Sequence, residues 1–177
     1  MAVNNIIKRI QNIMRQDAGI NGDAQRIEQM TWMFFLKVYD TQEETWEYKD
    51  ENYKSIIPED LRWRKWAVDE KDGEALTGEA LLSFVNEKLF PTLKNLPIDA
   101  NTPRAKSIVL ETFADLNQYM KNGTLLRQVV NIVNEIEFDD ADDRHTFGDI
   151  YEGILKDLQS AGNAGEFYTP RALTDFI

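Results

Sequence analysis

The sequence predicts a mainly α-helical fold, with a helical bundle domain on its N-terminal side. Apolar residues recur at helical spacing in several separate stretches of the chain. Strand and helix patterns do not alternate before residue 165, as they would in an α/β fold. No segment repeats at a fixed period, which argues against a solenoid.

The first two helices follow from two different apolar patterns. One face of the first helix is apolar; it consists of Val3, Ile6, Ile7, Ile10 and Met14. A turn over residues 18–23 ends at Asp23, which is a good N-cap for the second helix. Residues 26–39 are apolar nearly all round, so we expect the second helix to be the buried centre of the domain. The charged residues 41–53 are expected to be exposed.

The segment after Pro58 is ambiguous. One short β-hairpin is possible within residues 53–76, because Trp63, Trp66 and Val68 precede a turn.

Helical spacing returns over residues 76–89, and this helix is expected to end near Pro91 or Leu96. Residues 108–120 carry a weaker helical pattern, and residues 125–136 carry a clearer one.

The last complete helix is the best specified by the sequence. Thr146 and Asp149 have the spacing of a capping box, and an apolar stripe runs on to Leu158. Small residues over positions 160–165 are typical of a flexible linker.

Composition excludes several classes of protein and site. The 177 residues suffice for one ordinary domain, and the absence of cysteine excludes disulfides and thiolate zinc sites. The first ten residues lack the uninterrupted apolar centre of a secretory leader, and the densest apolar stretch, residues 32–36, is too short to span a bilayer. We therefore expect a cytoplasmic protein without a membrane partner.

The net charge of −11 is unfavourable for an autonomous DNA-binding protein, because phosphate neutralisation supplies much of the affinity for DNA. Residues 62–66 form the one basic–aromatic cluster; they either contact nucleic acid or pack Trp63 in the core, and the core is favoured. The candidate residues for contact with DNA or a neighbouring subunit are Lys8, Arg9, Arg15, Arg64 and Lys65.

An acidic run and the single histidine have simple interpretations. Asp139, Asp140, Asp142 and Asp143 lack the glycine and terminal glutamate of a calcium loop, so we interpret them as a solvated linker. His145 has no partner base or pocket in the sequence pattern, and we interpret it as exposed or capping. No metal site is predicted.

Several segments together resemble a known family. Residues 147–155 read Phe-Gly-Asp-Ile-Tyr-Glu-Gly-Ile-Leu, and residues 165–171 read Gly-Glu-Phe-Tyr-Thr-Pro-Arg. Upstream, residues 26–29 read Arg-Ile-Glu-Gln, and residues 34–37 read Phe-Phe-Leu-Lys, shortly before Asp40. This combination resembles the modification subunit of type I restriction–modification systems, in which an N-terminal helical domain precedes an α/β methyltransferase domain.

The resemblance implies a domain division and an activity. Residues 1–161 would form the N-terminal helical domain, and residues 162–177 the linker and the start of the methyltransferase domain. The full protein would transfer a methyl group from S-adenosylmethionine to adenine N6. It would act on double-stranded DNA, in a complex with the specificity and restriction subunits.

The resemblance also implies cofactor contacts at the second motif. Thr169 could bind the carboxylate of S-adenosylmethionine, and Pro170 suits the first turn of a following helix, whose N-terminus favours an anion. The implied cofactor-binding residues are Gly165, Glu166, Phe167, Tyr168, Thr169 and Pro170.

The sequence departs from the family pattern in what it lacks. Neither a glycine-rich cofactor loop nor the catalytic Asn-Pro-Pro-Phe motif occurs in the 177 residues. We therefore expect no catalytic residue here and no methyl transfer by this chain alone, as for a domain truncated within a helix. The alternative is a non-catalytic helical module that scaffolds a DNA-processing complex.

Overall fold

The described part of the protein is a bundle of α-helices. The computed structural model describes residues 3–71 and 73–137, and no strand occurs among them, so the predicted mainly α fold is confirmed. The α-helices of this part are α1 (Val3–Met14), α2 (Asp23–Lys49), α3 (Trp63–Trp66), α4 (Gly78–Ser83), α5 (Phe90–Lys94), α6 (Arg104–Ala114) and α7 (Gly123–Asn134).

α2 is the centre of the bundle, as predicted. Met30, Trp32 and Tyr39 are fully buried, and apolar side chains surround the helix through its first half. Gly22, with a φ of 90°, is the N-cap, so the predicted cap Asp23 is instead the first helical residue. A carboxylate is also favourable there, because the first turn leaves backbone N–H groups exposed.

The expectation that residues 41–53 are all exposed was wrong. α2 continues to Lys49, and Glu43 lies fully buried on its inner side. The Tyr53 hydroxyl donates to Glu43 Oε1 at 2.7 Å, and the Ser55 hydroxyl donates to the same oxygen. Burial raises the pKa of Glu43. A charged composition therefore did not identify the residue that turns inward to hold the loop after α2.

The possible β-hairpin is absent from the described residues between Tyr53 and Leu76. The chain there forms a 3-10 turn, Glu59–Leu61, followed by α3. The physical reason is tryptophan packing, because the rings of Trp63 and Trp66 lie 5.1 Å apart and both are buried. Trp66 Nε1 also donates to the carbonyl oxygen of Leu61 at 3.1 Å.

The predicted helix is confirmed from Gly78, and of the two predicted ends the structure has the later one: the helix passes Pro91 and ends at Lys94, near Leu96. α4 runs directly into a π-helical stretch, Phe84–Leu89, and then into α5. A proline inside a helix lacks the N–H donor and crowds the carbonyl four residues earlier. The wider π turn immediately before Pro91 accommodates that crowding without ending the helix.

α6 is displaced from its predicted position. It begins at Arg104 and ends at Ala114, whereas residues 108–120 were predicted. The chain leaves the helix because α2 captures the next segment: Gln29 Oε1 accepts from the backbone N–H of Tyr119 at 2.8 Å, and Glu28 Oε1 accepts from that of Asn117 at 2.8 Å. These bonds outweigh the weak helical pattern.

α7 packs against α1, α2 and α4. Asn122 caps it, its Oδ1 accepting from the backbone N–H of Thr124 and of Leu125 at 3.0 Å each. At Gly123 an added Cβ would lie 1.8 Å from the carbonyl oxygen of Gly78, so the first turns of α4 and α7 touch through backbone alone. Within residues 3–71 and 73–137, none of the helices meets the length and hydropathy of a bilayer span.

Candidate DNA and subunit contact surface

α1 presents a polar face without acidic residues. From Val3 to Gln16 the chain contains Lys8, Arg9 and Arg15 but neither Asp nor Glu. Positions seven apart lie on one side of a helix, so Lys8 and Arg15 share a face, and both are exposed. The opposite face is buried, as predicted; it contains Ile6, Ile7, Ile10 and Met14.

Amide side chains lie between and beside the two cations. The Arg15 guanidinium donates to Asn12 Oδ1 at 2.9 Å, and Gln16 Nε2 donates to the carbonyl oxygen of Asn12 at 3.2 Å. Among the ion pairs of the described residues, none involves Lys8 or Arg15. These two positive charges are therefore not compensated by any of the described residues.

Arg9 is engaged differently. Its guanidinium forms a two-pronged ion pair with Glu135, at 2.5 Å from Nη1 to Oε2 and 2.9 Å from Nη2 to Oε1. The hydrogen bonds of this pair raise the pKa of Arg9 and lower the pKa of Glu135. Arg9 consequently ties α1 to the end of α7, and its charge is already paired.

Lys121, which is distant in sequence, lies beside the C-terminal end of α1. Asp17 is 3% exposed, and its Oδ1 accepts from the backbone N–H of Gly19 at 2.7 Å and of Lys121 at 2.9 Å. Its Oδ2 accepts from the backbone N–H of Asn122 at 2.9 Å. The carboxylate thus places the exposed Lys121 beside the C-terminal end of α1.

The basic–aromatic cluster at α3 is neutralised by α2. Arg64 Nε donates to Asp40 Oδ1 at 3.0 Å, and its Nη1 donates to Glu47 Oε2 at 3.1 Å and to Glu44 Oε1 at 3.5 Å. Arg62 Nη1 donates to the other oxygen of Glu47 at 2.6 Å. Two guanidinium groups therefore face three carboxylates inside the domain.

The cluster at α3 also differs from the α1 face because its carboxylate partner Asp40 is buried. Asp40 is 7% exposed, and burial raises its pKa against the opposing effect of the Arg64 guanidinium. The backbone N–H of Arg64 donates to the second oxygen of Asp40 at 3.2 Å. An ion pair in this setting holds α3 on α2 and leaves little positive potential at the surface.

Trp63 belongs to the core, as favoured from the sequence, and Trp66 lies there too. Trp63 and Trp66 are 3% and 4% exposed. Trp63 Nε1 donates to Asn134 Oδ1 at 2.7 Å, and Trp66 stacks on Trp32 with 6.5 Å between ring centroids. Rings buried in this way cannot stack on nucleobases.

Lys65 lies at the rim of a cleft of mixed charge. Its Nζ is 3.5 Å from Glu59 Oε1, and about half of its side chain is exposed. The cleft has a volume of 350 Å³ and includes Asp60, Asp69 and Glu70 beside its lysines. Such a rim is a poor match for a phosphate backbone.

The candidates predicted from the sequence therefore form two groups. Lys8 and Arg15 have no carboxylate partner among the described residues, whereas Arg9, Arg64 and Lys65 each have one. Three further residues belong with Lys8 and Arg15. Asn12, Gln16 and Lys121 were not singled out from the sequence. The run of 16 residues without an acidic side chain was a readable signal for Asn12 and Gln16. Lys121 carried no such signal, because it reaches α1 only through the fold.

The predicted cofactor residues, Gly165 to Pro170, lie outside the described residues. The same holds for His145 and for the acidic run 139–143.

Family models match the chain in two consecutive segments. The model described as the HsdM N-terminal domain matches residues 3–133. The model described as N-6 DNA Methylase matches residues 142–177.

Similar proteins agree with these matches. The chain is 58% identical to the type I restriction enzyme EcoEI methylase subunit of Escherichia coli, covering 100% of this chain but 36% of that protein. A solved modification subunit assigned to a type I restriction enzyme of Vibrio vulnificus YJ016 is 33% identical, with a TM-score of 0.79 over 98% of this chain and 39% of its own. A chain from a structure on complex assembly and conformational transition of the type I R-M system is 35% identical, with a TM-score of 0.73, covering 94% of this chain and 32% of that one.

Proposed function

We propose that this chain is part of a DNA adenine methyltransferase. It belongs to the HsdM N-terminal domain family of type I restriction–modification methylase subunits. The full-length protein transfers the methyl group of S-adenosylmethionine to adenine N6 in double-stranded DNA. It does so in the cytoplasm, in a complex with a specificity subunit and a restriction subunit.

The order of the two family matches carries this proposal. A helical-domain match over residues 3–133 is followed directly by a methylase match that begins at residue 142. The identity of 58% with a methylase subunit extends over the whole chain and so includes both segments. The name of the second family, N-6 DNA Methylase, supports adenine N6 as the target atom.

The cofactor assignment rests on the motif at residues 165–170. In the proposed site, Phe167 and Tyr168 form an aromatic wall, and the Thr169 hydroxyl binds the carboxylate of the cofactor. Pro170 begins the helix whose N-terminus favours that negative charge. When bound, S-adenosylmethionine supplies the methyl group.

Catalysis and sequence recognition are assigned outside these 177 residues. The chain spans about a third of the length of the curated relative that it matches. It contains neither a glycine-rich cofactor loop nor an Asn-Pro-Pro-Phe motif, so residues 1–177 alone transfer no methyl group. Their role in the proposal is to contact DNA and neighbouring subunits.

Among the predicted contact residues, Lys8 and Arg15 suit an external partner best, because their charges are uncompensated within the described residues. Arg9 and Arg64 serve the domain itself through Glu135 and the α2 carboxylates. Lys65, beside Glu59, is assigned to a subunit-facing surface rather than to DNA.

The test is a methyl-transfer assay with the full-length gene product. The purified protein, with and without its specificity subunit, is incubated with labelled S-adenosylmethionine and duplex DNA, and the labelled product is digested to nucleosides. Label in N6-methyl-2′-deoxyadenosine that requires the specificity subunit is the expected result. Residues 1–177 serve as the matched negative control.

Two outcomes would contradict the proposal. Methyl transfer by residues 1–177 alone would refute the division of labour. A full-length protein that assembles with the specificity subunit but binds no S-adenosylmethionine would favour the non-catalytic scaffold instead.

A further inference from the structure

The distribution of charge singles out one face of this acidic protein. The first 22 residues contain three of the 20 basic side chains and a single one of the 31 acidic side chains, Asp17. Asp17 is buried, and its carboxylate accepts three backbone N–H groups, so it contributes little to the surface. α1 is therefore locally positive in a chain whose net charge is −11.

The polar side chains of this face have a regular arrangement. Lys8, Asn12 and Arg15 follow each other at spacings of four and three, and all three are exposed. The backbone N–H of Arg15 donates to the carbonyl oxygen of Gln11 at 3.0 Å, so the helical register extends to Arg15. Lys8 and Arg15 are consequently about 10 Å apart along the axis, at 1.5 Å per residue.

Lys121 extends the same surface beyond the end of α1. Its backbone is fixed by Asp17, and an added Cβ at Gly19 would lie 2.8 Å from Lys121 Cγ, so the lysine side chain passes over that glycine. The face then carries three exposed cations, accompanied by the amides of Asn12 and Gln16. We call these five residues the α1 polar face.

From this arrangement we propose that the α1 polar face binds the phosphate backbone of duplex DNA without reading its sequence. The inference rests on the proposed function, from which it takes DNA as the partner, and it assigns the residues that make the contact. Two cations about 10 Å apart on one helix face can each meet a different phosphate, because each DNA strand carries a charge about every 3.4 Å of helix axis. The flanking amides donate hydrogen bonds that position phosphates without base specificity.

The chemistry of the face favours DNA over an acidic protein surface. Protein interfaces depend on large apolar or aromatic anchors that become fully buried. The large hydrophobic side chains that are exposed in the described residues are Tyr48, Val68 and Ile98, and none lies on α1. A face of cations and amides without an anchor has the composition of a phosphate contact.

The test compares two double variants in the assembled methyltransferase, formed from the full-length subunit and its specificity subunit. Lys8→Gln with Arg15→Gln removes two charges from the α1 polar face. Lys49→Gln with Lys71→Gln removes two exposed lysine charges elsewhere and is the matched control. Equilibrium binding to a duplex is measured over a range of salt concentrations from about 50 to 300 mM.

The α1 double variant should lose about two units of the slope of log K against log salt, since each phosphate contact contributes about 0.9. At about 0.1 M salt its affinity should fall roughly 10-fold or more, whereas the control should keep the wild-type slope. Adding Lys121→Gln should flatten the slope by about one further unit.

Other outcomes separate the two proposals. An α1 double variant with the wild-type slope and affinity overturns the assignment of the α1 polar face to DNA. A wild-type slope combined with weakened assembly also overturns it, in favour of an acidic subunit surface. If the variants show the expected slope changes but the wild-type complex transfers no methyl group, the proposed function is overturned and the DNA contact stands.

Discussion

Two clusters of basic residues in this protein lie in opposite environments. The cluster at α3 contains Arg62, Arg64 and Lys65, and carboxylates of α2 compensate both of its arginines. The cluster on α1 contains Lys8 and Arg15, which have no carboxylate partner among the described residues, and Arg15 donates to the amide oxygen of Asn12. A positive residue in the sequence is therefore a candidate contact only when no other helix supplies its counter-charge.

The largest effect is expected where the α1 polar face is attached to the rest of the domain. Asp17→Ala leaves three backbone N–H groups without their acceptor and should lower the free energy of unfolding by about 3 kcal/mol. Asp17→Asn should cost less, because its remaining oxygen can still accept from Gly19 and Lys121. Urea denaturation of both variants tests this, and equal losses would contradict it.

The next largest loss of stability is expected in the cluster at α3, where the arginines are paired with carboxylates. Arg64→Met leaves the buried Asp40 with the backbone N–H of residue 64 as its remaining donor from α3. The loss should be about 1–2 kcal/mol, below the value for a fully buried pair because Arg64 is 24% exposed. The neighbouring Lys65→Met is the control and should change stability little, since its pair with Glu59 is exposed. Similar losses in both variants would contradict the structural role of Arg64.

Lys37, a third and partly buried cation, should make the stability of the protein depend on pH. Lys37 Nζ donates to the carbonyl oxygens of Val133 and Asn134 at 3.1 and 2.9 Å, and burial lowers its pKa to about 8. Because the unfolded chain holds this proton up to a higher pH, the Lys37 contribution to stability should rise between about pH 8 and 10.5. The stability difference between wild type and Lys37→Met, measured by thermal unfolding across this range, should show that rise. A difference that is flat with pH would contradict it.

The smallest effect is expected at the α1 cluster itself. Lys8→Gln with Arg15→Gln removes exposed charges without carboxylate partners, so the midpoint of urea unfolding should stay at the wild-type value. Glu135→Gln, which breaks the exposed pair with Arg9, is the comparison and should shift it only slightly. A large loss in the α1 double variant would mean that these side chains support the fold.

Much of the fold was predictable from the sequence, because helical periodicity is a local property. The apolar face of α1, the buried α2 and the α7 stripe follow from spacings of three and four residues. The predictions that were wrong concern segments whose conformation depends on distant partners. The hairpin after Tyr53 gave way to tryptophan packing, and the predicted end of α6 gave way to hydrogen bonds from Glu28 and Gln29.

The sequence by itself determined the helical class, the central helix and the family to which the chain belongs. Only the tertiary structure decided which cations face outward. Arg64 meets Asp40 across 24 positions of sequence, Arg9 meets Glu135 across 126, and Lys121 reaches the end of α1 through Asp17. Pairings of this kind depend on how helices pack, and a pattern that repeats every 3.6 residues carries no information about them.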